Sequence, residues 1–193
     1  MPMTEFARMR RTDHSMRPPT PATMTEFKSP TACLLCHAKK SAEWADRYVR
    51  KWRSRDYQQP VLEVARLIDA ARKDNWAKLP DILAYLTRPD RDEVFANSFV
   101  RLLRNCADDR KWPALIAALK DPSPLIRSSA AESLNGYFTP EGVAALLAAT
   151  RDDYRLVRVR AASALAGVPL EPLKDDDRKA LFKAMEEFTR VMG

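Results

Sequence analysis

DRDEVFANSFVRLL (90–103), DPSPLIRSSAAESL (121–134) and DDYRLVRVRAASAL (152–165) stand in register at a constant offset of 31 residues. Asp90, Asp121 and Asp152 coincide, as do Val94, Leu125 and Leu156, and Phe95, Ile126 and Val157. Phe99, Ala130 and Ala161 share a further column, and Leu103, Leu134 and Leu165 another. Arg127 and Arg158 match each other but meet Ala96 in the first, bulkier copy. A second apolar segment precedes each stretch: LPDILAYL (79–86), WPALIAAL (112–119) and VAALLAAT (143–150). Two helices per 31-residue unit predict an α-solenoid, because a single pair cannot bury its apolar face alone. At about 25 cal/mol per Å² of apolar surface, the paired alanines 130/131 and 161/162 contribute less by area than by letting helices approach closely.

Working outward, PVLEVARLIDAARKD (60–74) predicts a helix that completes the first pair. A helix at about 176–191, containing LFKAMEEF, is expected to cap the far end. Ala, Leu, Arg, Glu and Asp dominate and only four Gly occur, so the class is all-α. Over roughly residues 79–168 the pattern resembles short HEAT-like repeats, which implies a right-handed solenoid of helix pairs.

A different signal lies upstream. Cys33-Leu34-Leu35-Cys36-His37 has the spacing of a covalent c-type haem attachment site. Each thiol adds across one vinyl group, and the adjacent imidazole becomes an axial ligand to iron. Cys33, Cys36 and His37 are therefore the expected haem-binding residues, with His37 as the proximal ligand. The same Cys-x-x-Cys spacing serves zinc sites, which need four ligands, and His14 is available as the fourth. A thioredoxin-like redox pair would need a strand-rich context that this chain lacks. Cys106, alone near the end of a repeat helix, reads as a packed free thiol.

Residues 1–32 hold Pro2, Pro18, Pro19, Pro21 and Pro30 and no helical periodicity, which predicts an extended, loop-like arm. Within it lies His14, the one histidine besides His37, 23 residues upstream. The arm is long enough to fold back across a haem face, so His14 is the expected second axial ligand. Asp13 could orient its imidazole, and Met16 and Met24 are the thioether alternatives. From Ser41, a predicted N-cap, a helix is expected with Trp44, Tyr48, Val49 and Trp52 on one face. Those rings either pack on the macrocycle or serve helix–helix packing. The domain reading is a haem-binding segment at 1–57 and a HEAT-like solenoid with its capping helix at 58–193.

Charge is uneven. Residues 1–58 hold 12 Lys/Arg against 6 Asp/Glu, whereas residues 59–193 hold 21 against 20. The positive charge belongs to the haem-binding segment, where it fits contacts to haem propionates, an acidic redox partner, or an ordinary solvated surface. No base-reading module accompanies it, so nucleic acid is not expected. No stretch approaches 18 apolar residues, so no membrane span is expected.

The run from MPMTEFA through DHSMRPP to SPTACLLCHAKKSAEWADRYVRKW resembles the C-terminal part of periplasmic multihaem c-type cytochromes. In those proteins this haem module is followed by TPR or HEAT-like repeats. The family carries a Cys-x-x-Cys-His immediately before Met-Pro, and here Met-Pro begins the chain. The resemblance covers about residues 1–53 and, loosely, the repeats. It implies a covalent haem c, iron ligation by His14 to this haem or a neighbouring one, and a periplasmic site of action. MPMTEFARMRR lacks the apolar core of a signal peptide. The expectation is a truncated reading frame or fragment that has lost its export signal.

These readings predict electron transfer by a covalently bound haem fused to a helical scaffold, with redox proteins or other cytochrome subunits as partners. With two His, both assigned to iron, no nucleophile pair is available and the chain is expected not to be an enzyme. The alternative is a HEAT-like protein-binding scaffold whose Cys-x-x-Cys-His is vestigial or binds zinc.

Overall fold

A computed structural model describes residues 3–6, 9–12 and 18–192, with side chains from 18 to 190. The chain divides into two units, Met1–Arg66 and Leu67–Gly193, a boundary later than the expected 57/58. Apart from one two-stranded sheet, the regular structure of the described residues is helical.

In the first unit, β1 (Met3–Phe6) and β2 (Met9–Thr12) pair antiparallel, with Met3 opposite Thr12 and Phe6 opposite Met9. This corrects the reading of the whole arm as loop. Residues 3–17 contain no proline, so every backbone N–H needed for a ladder is present, and the argument for an unpaired chain applies only at 18–21. A second correction follows Pro21, where α1 (Ala22–Phe27) forms a short helix and ends on Lys28 in the left-handed conformation. Proline is tolerated at a helix start because the first N–H groups have no intrahelical partner. α2 (Cys33–Cys36) is a single turn. α3 (Ala42–Trp52) is capped by the Ser41 hydroxyl, which accepts from the Trp44 N–H at 3.2 Å, as expected. α4 (Gln58–Arg72) begins in this unit and runs past its boundary.

The second unit is built of helix pairs: α5 (Leu79–Leu86) with α6 (Glu93–Leu103), α7 (Lys111–Ala118) with α8 (Pro124–Ser133), and α9 (Pro140–Ala149) with α10 (Arg155–Ala164). α11 (Asp175–Met192) packs on α10 and α9, where the capping helix was expected. The second helices line up side by side, α8 lying between α6 and α10. Local sequence sets their starts: Asp92, Ser123 and Thr139 accept backbone N–H bonds at the N-caps, and Pro124 and Pro140 occupy first-turn positions.

The repeat columns separate by burial. Phe99, Ala130 and Ala161 are buried, and so are Leu103, Leu134 and Leu165. Alanine at 130, 131, 161 and 162 lets α8 approach its neighbours closely enough for the Ser133 hydroxyl to donate to the Val100 carbonyl at 3.1 Å. Val94, Leu125 and Leu156 form the one column left exposed.

Within this unit an arginine joins each repeat to the element that follows. Arg127 donates to both carboxylate oxygens of Asp152 at 2.7 and 3.0 Å, and its Nη1 donates to the carbonyls of Asp121 and Pro122. Arg158 repeats the pattern with the carbonyls of Asp152 and Asp153 and the carboxylate of Glu187. In the first copy, where Ala96 replaces the arginine, Arg91 pairs with Asp121 and donates to the Leu86 carbonyl at 2.8 Å. The rung survives because a guanidinium five positions earlier reaches the same carboxylate.

Two further features fix the unit. Lys111 is buried, yet its ammonium donates to the carbonyls of Arg104 and Cys106, satisfying groups just past the end of α6. Cys106 is buried and free.

Candidate functional site

α2 places Cys33 and Cys36 three residues apart on one helical turn, so both side chains leave from the same face. The turn closes when the His37 N–H donates to the Cys33 carbonyl at 3.0 Å. His37 then departs from helical geometry, with φ −103° and ψ 51°. Both thiols are free, Cys33 half-buried and Cys36 exposed.

Cys33, Cys36 and His37 open onto one trough of about 340 Å³ with almost wholly apolar walls. α3 supplies its long side. The His37 ring lies 4.9 Å from Trp44, Trp44 lies 5.0 Å from Tyr48, and Tyr48 lies 5.8 Å from Trp52, each pair tilted by about 50°. Ala45 and Val49, both buried, and Pro19 also line it. None of the three α3 rings is buried, and Trp52 is 71% exposed, which disfavours helix–helix packing, one of the two alternatives for this row.

The wall carrying Pro19 is held by groups that sequence reasoning missed. The Tyr57 hydroxyl donates to the Pro19 carbonyl. Burial raises the Tyr57 pKa, keeping the phenol in its donating form. Gln58 is buried and bridges α1 to α3: its Nε2 donates to Asp46 at 2.6 Å and its Oε1 accepts from the Ala22 N–H at 3.2 Å. Arg66 grips Glu26 of α1 through two hydrogen bonds of 2.6 and 2.8 Å. On the far side of α3, Arg50 pairs with Asp46 and Asp56, and its guanidinium holds the Asp56 carboxyl below the usual range.

The donor set fits a covalently attached haem. Two thiols on one helical turn can reach neighbouring vinyl groups, an imidazole follows directly, and aromatic walls offer apolar surface for a flat macrocycle. Among the described residues, no group of three His, Cys, Asp or Glu side chains is placed to hold a metal ion. His14, the expected second ligand, and Met16 lie outside the described residues. Met24 lies on α1, half-buried, and does not line the trough.

The paired helices of the second unit, with their constant offset and arginine rungs, have a match among known families. Residues 79–166 match the family model for HEAT repeats. The match runs from the start of α5 to just past α10 and so takes in all three helix pairs. The match covers the helix pairs of the second unit, while residues 1–78, which include the trough, lie outside it. Comparison with curated proteins gives no match.

Proposed function

We propose that this protein is an electron carrier in which a haem c is attached through Cys33 and Cys36 in a chain that also carries a HEAT-like repeat scaffold. The observation that carries this reading is the opening of both thiols and the His37 imidazole onto a single apolar, aromatic-lined trough. When bound, the haem supplies one-electron Fe(III)/Fe(II) chemistry at a potential set by its axial ligands and surroundings. The thiols would fix its edge. His37 would donate a nitrogen lone pair to iron while Trp44, tilted against its ring, restricts imidazole rotation. Trp44, Tyr48 and Val49 would exclude water from the group, and the Tyr57 hydroxyl would keep Pro19 in place in the lining.

The reading extends to His14 as second axial ligand, of this haem or of a neighbour in a multihaem assembly. If His14 and His37 both held this iron, no site would remain on it for substrate, and the protein would work as a carrier rather than an enzyme. Haem c is attached outside the cytoplasm, so the place of action would be the periplasm, with redox proteins or other cytochrome subunits as partners.

Expression of the full chain with cytochrome c maturation machinery tests this. The expected product keeps a Soret band on the denatured polypeptide and gains the mass of one haem. A colourless chain of unmodified mass overturns the proposal. It would favour the second reading, a HEAT scaffold that binds another protein, which the repeat match itself supports.

A further inference from the structure

We propose that the turn joining α3 to α4 binds a small phosphate-type dianion, a reading that does not depend on the haem. The turn bounds a cavity of about 180 Å³, lined by three arginines, Arg50, Arg53 and Arg55, by Ser54, and by Asp56 as its one carboxylate. Three guanidiniums against one carboxylate leave this lining at a net +2. The volume is below that of pockets for drug-sized ligands, roughly 300–1,000 Å³, and exceeds several times the roughly 30 Å³ share of one water. A small anion with a few waters fits it, and a nucleotide does not.

The hydrogen-bonding groups around the cavity divide into spent and free. Arg50 donates to Asp46 at 2.8 Å and to Asp56 at 2.5 Å, and Asp56 also accepts the Gln58 and Gln59 N–H groups, capping α4. The Gln58 amide serves Asp46 and Ala22, and the Tyr57 hydroxyl serves Pro19. Arg53 and Arg55 remain, and among the described residues neither pairs with a carboxylate. The Arg53 guanidinium lies 5.9 Å from the Tyr57 ring, which keeps it folded over the turn. Among the described residues, the Ser54 hydroxyl and the backbone N–H groups of residues 54–57 also donate to no acceptor. Guanidinium forks match phosphate oxygens two at a time, and hydroxyl and backbone N–H groups are the usual further donors to phosphate. A surplus of donors and two uncompensated charges favour a doubly charged tetrahedral anion over a monocarboxylate.

The full chain, haem-free and haem-loaded, is titrated with inorganic phosphate at a fixed ionic strength of about 0.15 M, with acetate as the monocarboxylate comparison. Calorimetry and the arginine Nε–H resonances follow binding. R53Q/R55Q is the test variant. R72Q/R101Q removes the same charge from exposed positions of α4 and α6 that do not line this cavity. Expected is phosphate binding at least about tenfold tighter than acetate, weakened about tenfold or more in R53Q/R55Q as charge-assisted hydrogen bonds are lost. R72Q/R101Q should stay within about twofold of wild type. In the wild-type chain the Arg53 and Arg55 resonances should shift on titration, a readout that needs no variant to fold. Equal affinity for acetate, an equal loss in R72Q/R101Q, or unmoved Arg53 and Arg55 resonances overturns the site. Phosphate binding that haem loading abolishes assigns the cavity to a haem carboxylate and overturns it too.

Discussion

Gln58 and Asp46 hold the first unit together. The Gln58 amide, 1% exposed at the start of α4, donates to the Asp46 carboxylate on α3 at 2.6 Å and accepts from the first N–H of α1. One side chain thus satisfies polar groups on two other helices in a unit with few buried apolar residues. Asp46 is held in turn by Arg50, four residues on along α3.

Gln58→Leu removes both bonds and strands the Ala22 N–H and one Asp46 oxygen. Leaving buried polar groups unpaired costs about 1–3 kcal/mol. Faster amide exchange throughout α1, with the HEAT repeats unaffected, is the expected result. Unchanged protection of α1 would show that Arg66 and Glu26 suffice to hold it.

The aromatic row on α3 stands outside the core. Val49→Ala, at a buried position, is therefore expected to cost about 1–3 kcal/mol. Trp52→Ala should lie within about 0.5 kcal/mol of wild type, as exposed sites do. Chemical denaturation of the haem-free chain measures both, and a Trp52 cost equal to that of Val49 contradicts the open trough.

Gly142, in the first turn of α9, has no room for a methyl group. A Cβ there would come within 2.6 Å of the Tyr137 carbonyl oxygen and of its ring, which stacks on Trp112 at 4.0 Å. Gly142→Ala should destabilise the repeats by about 1–3 kcal/mol through overpacking, read as a fall in Tm. The carbonyl clash is with backbone, so Tyr137→Ala cannot fully relieve it.

Asp152 links pH to repeat stability. Burial pushes its pKa up, but the Arg127 hydrogen bonds, the Tyr154 N–H and the nearby guanidinium charges outweigh that, and the net shift is downward. A folded-state pKa below the unfolded one stabilises the native state above the ordinary carboxylate value of about 4, and this contribution is lost as pH falls through the folded value. Asp152→Asn should lower stability at pH 7 by about 1–3 kcal/mol and flatten the loss on acidification below about pH 4. Thermal melts across that range check both, and an unchanged slope would remove Asp152 as a contributor.

If His14 ligates the haem iron, His14→Ala alters the spin state and the reduction potential. An absorption spectrum identical to wild type in both oxidation states would take His14 off the ligand set.

The repeats were legible because their information is local and repeated. Helical periodicity, cap residues and small alanines recur every 31 residues, and three copies of one weak pattern reinforce each other. The replacement of the missing arginine by Arg91 was not legible, since nothing in the alignment connects positions 91 and 96. In the first unit, Cys33, Cys36, His37 and the Trp44-Tyr48-Trp52 face announced themselves by spacing. Gln58 did not: a glutamine at a helix start reads as a solvated residue until the helix it meets is known. The strands and α1 escaped notice because four-to-six-residue elements carry too few periods to stand out from a proline-rich background.

By itself the sequence determined the helical class, the helix pairs of the second unit and the three-residue spacing that puts two thiols beside an imidazole. These follow from backbone periodicity and covalent geometry, which act over a few residues. Tertiary structure alone decided that α3 turns its aromatic row outward while Ala45 and Val49 go inside, and that Pro19 joins them in lining the trough. Which apolar face becomes core and which stays open depends on what distant segments bury it, and Tyr57 meets Pro19, and Gln58 meets Asp46 and Ala22, only once the chain has folded.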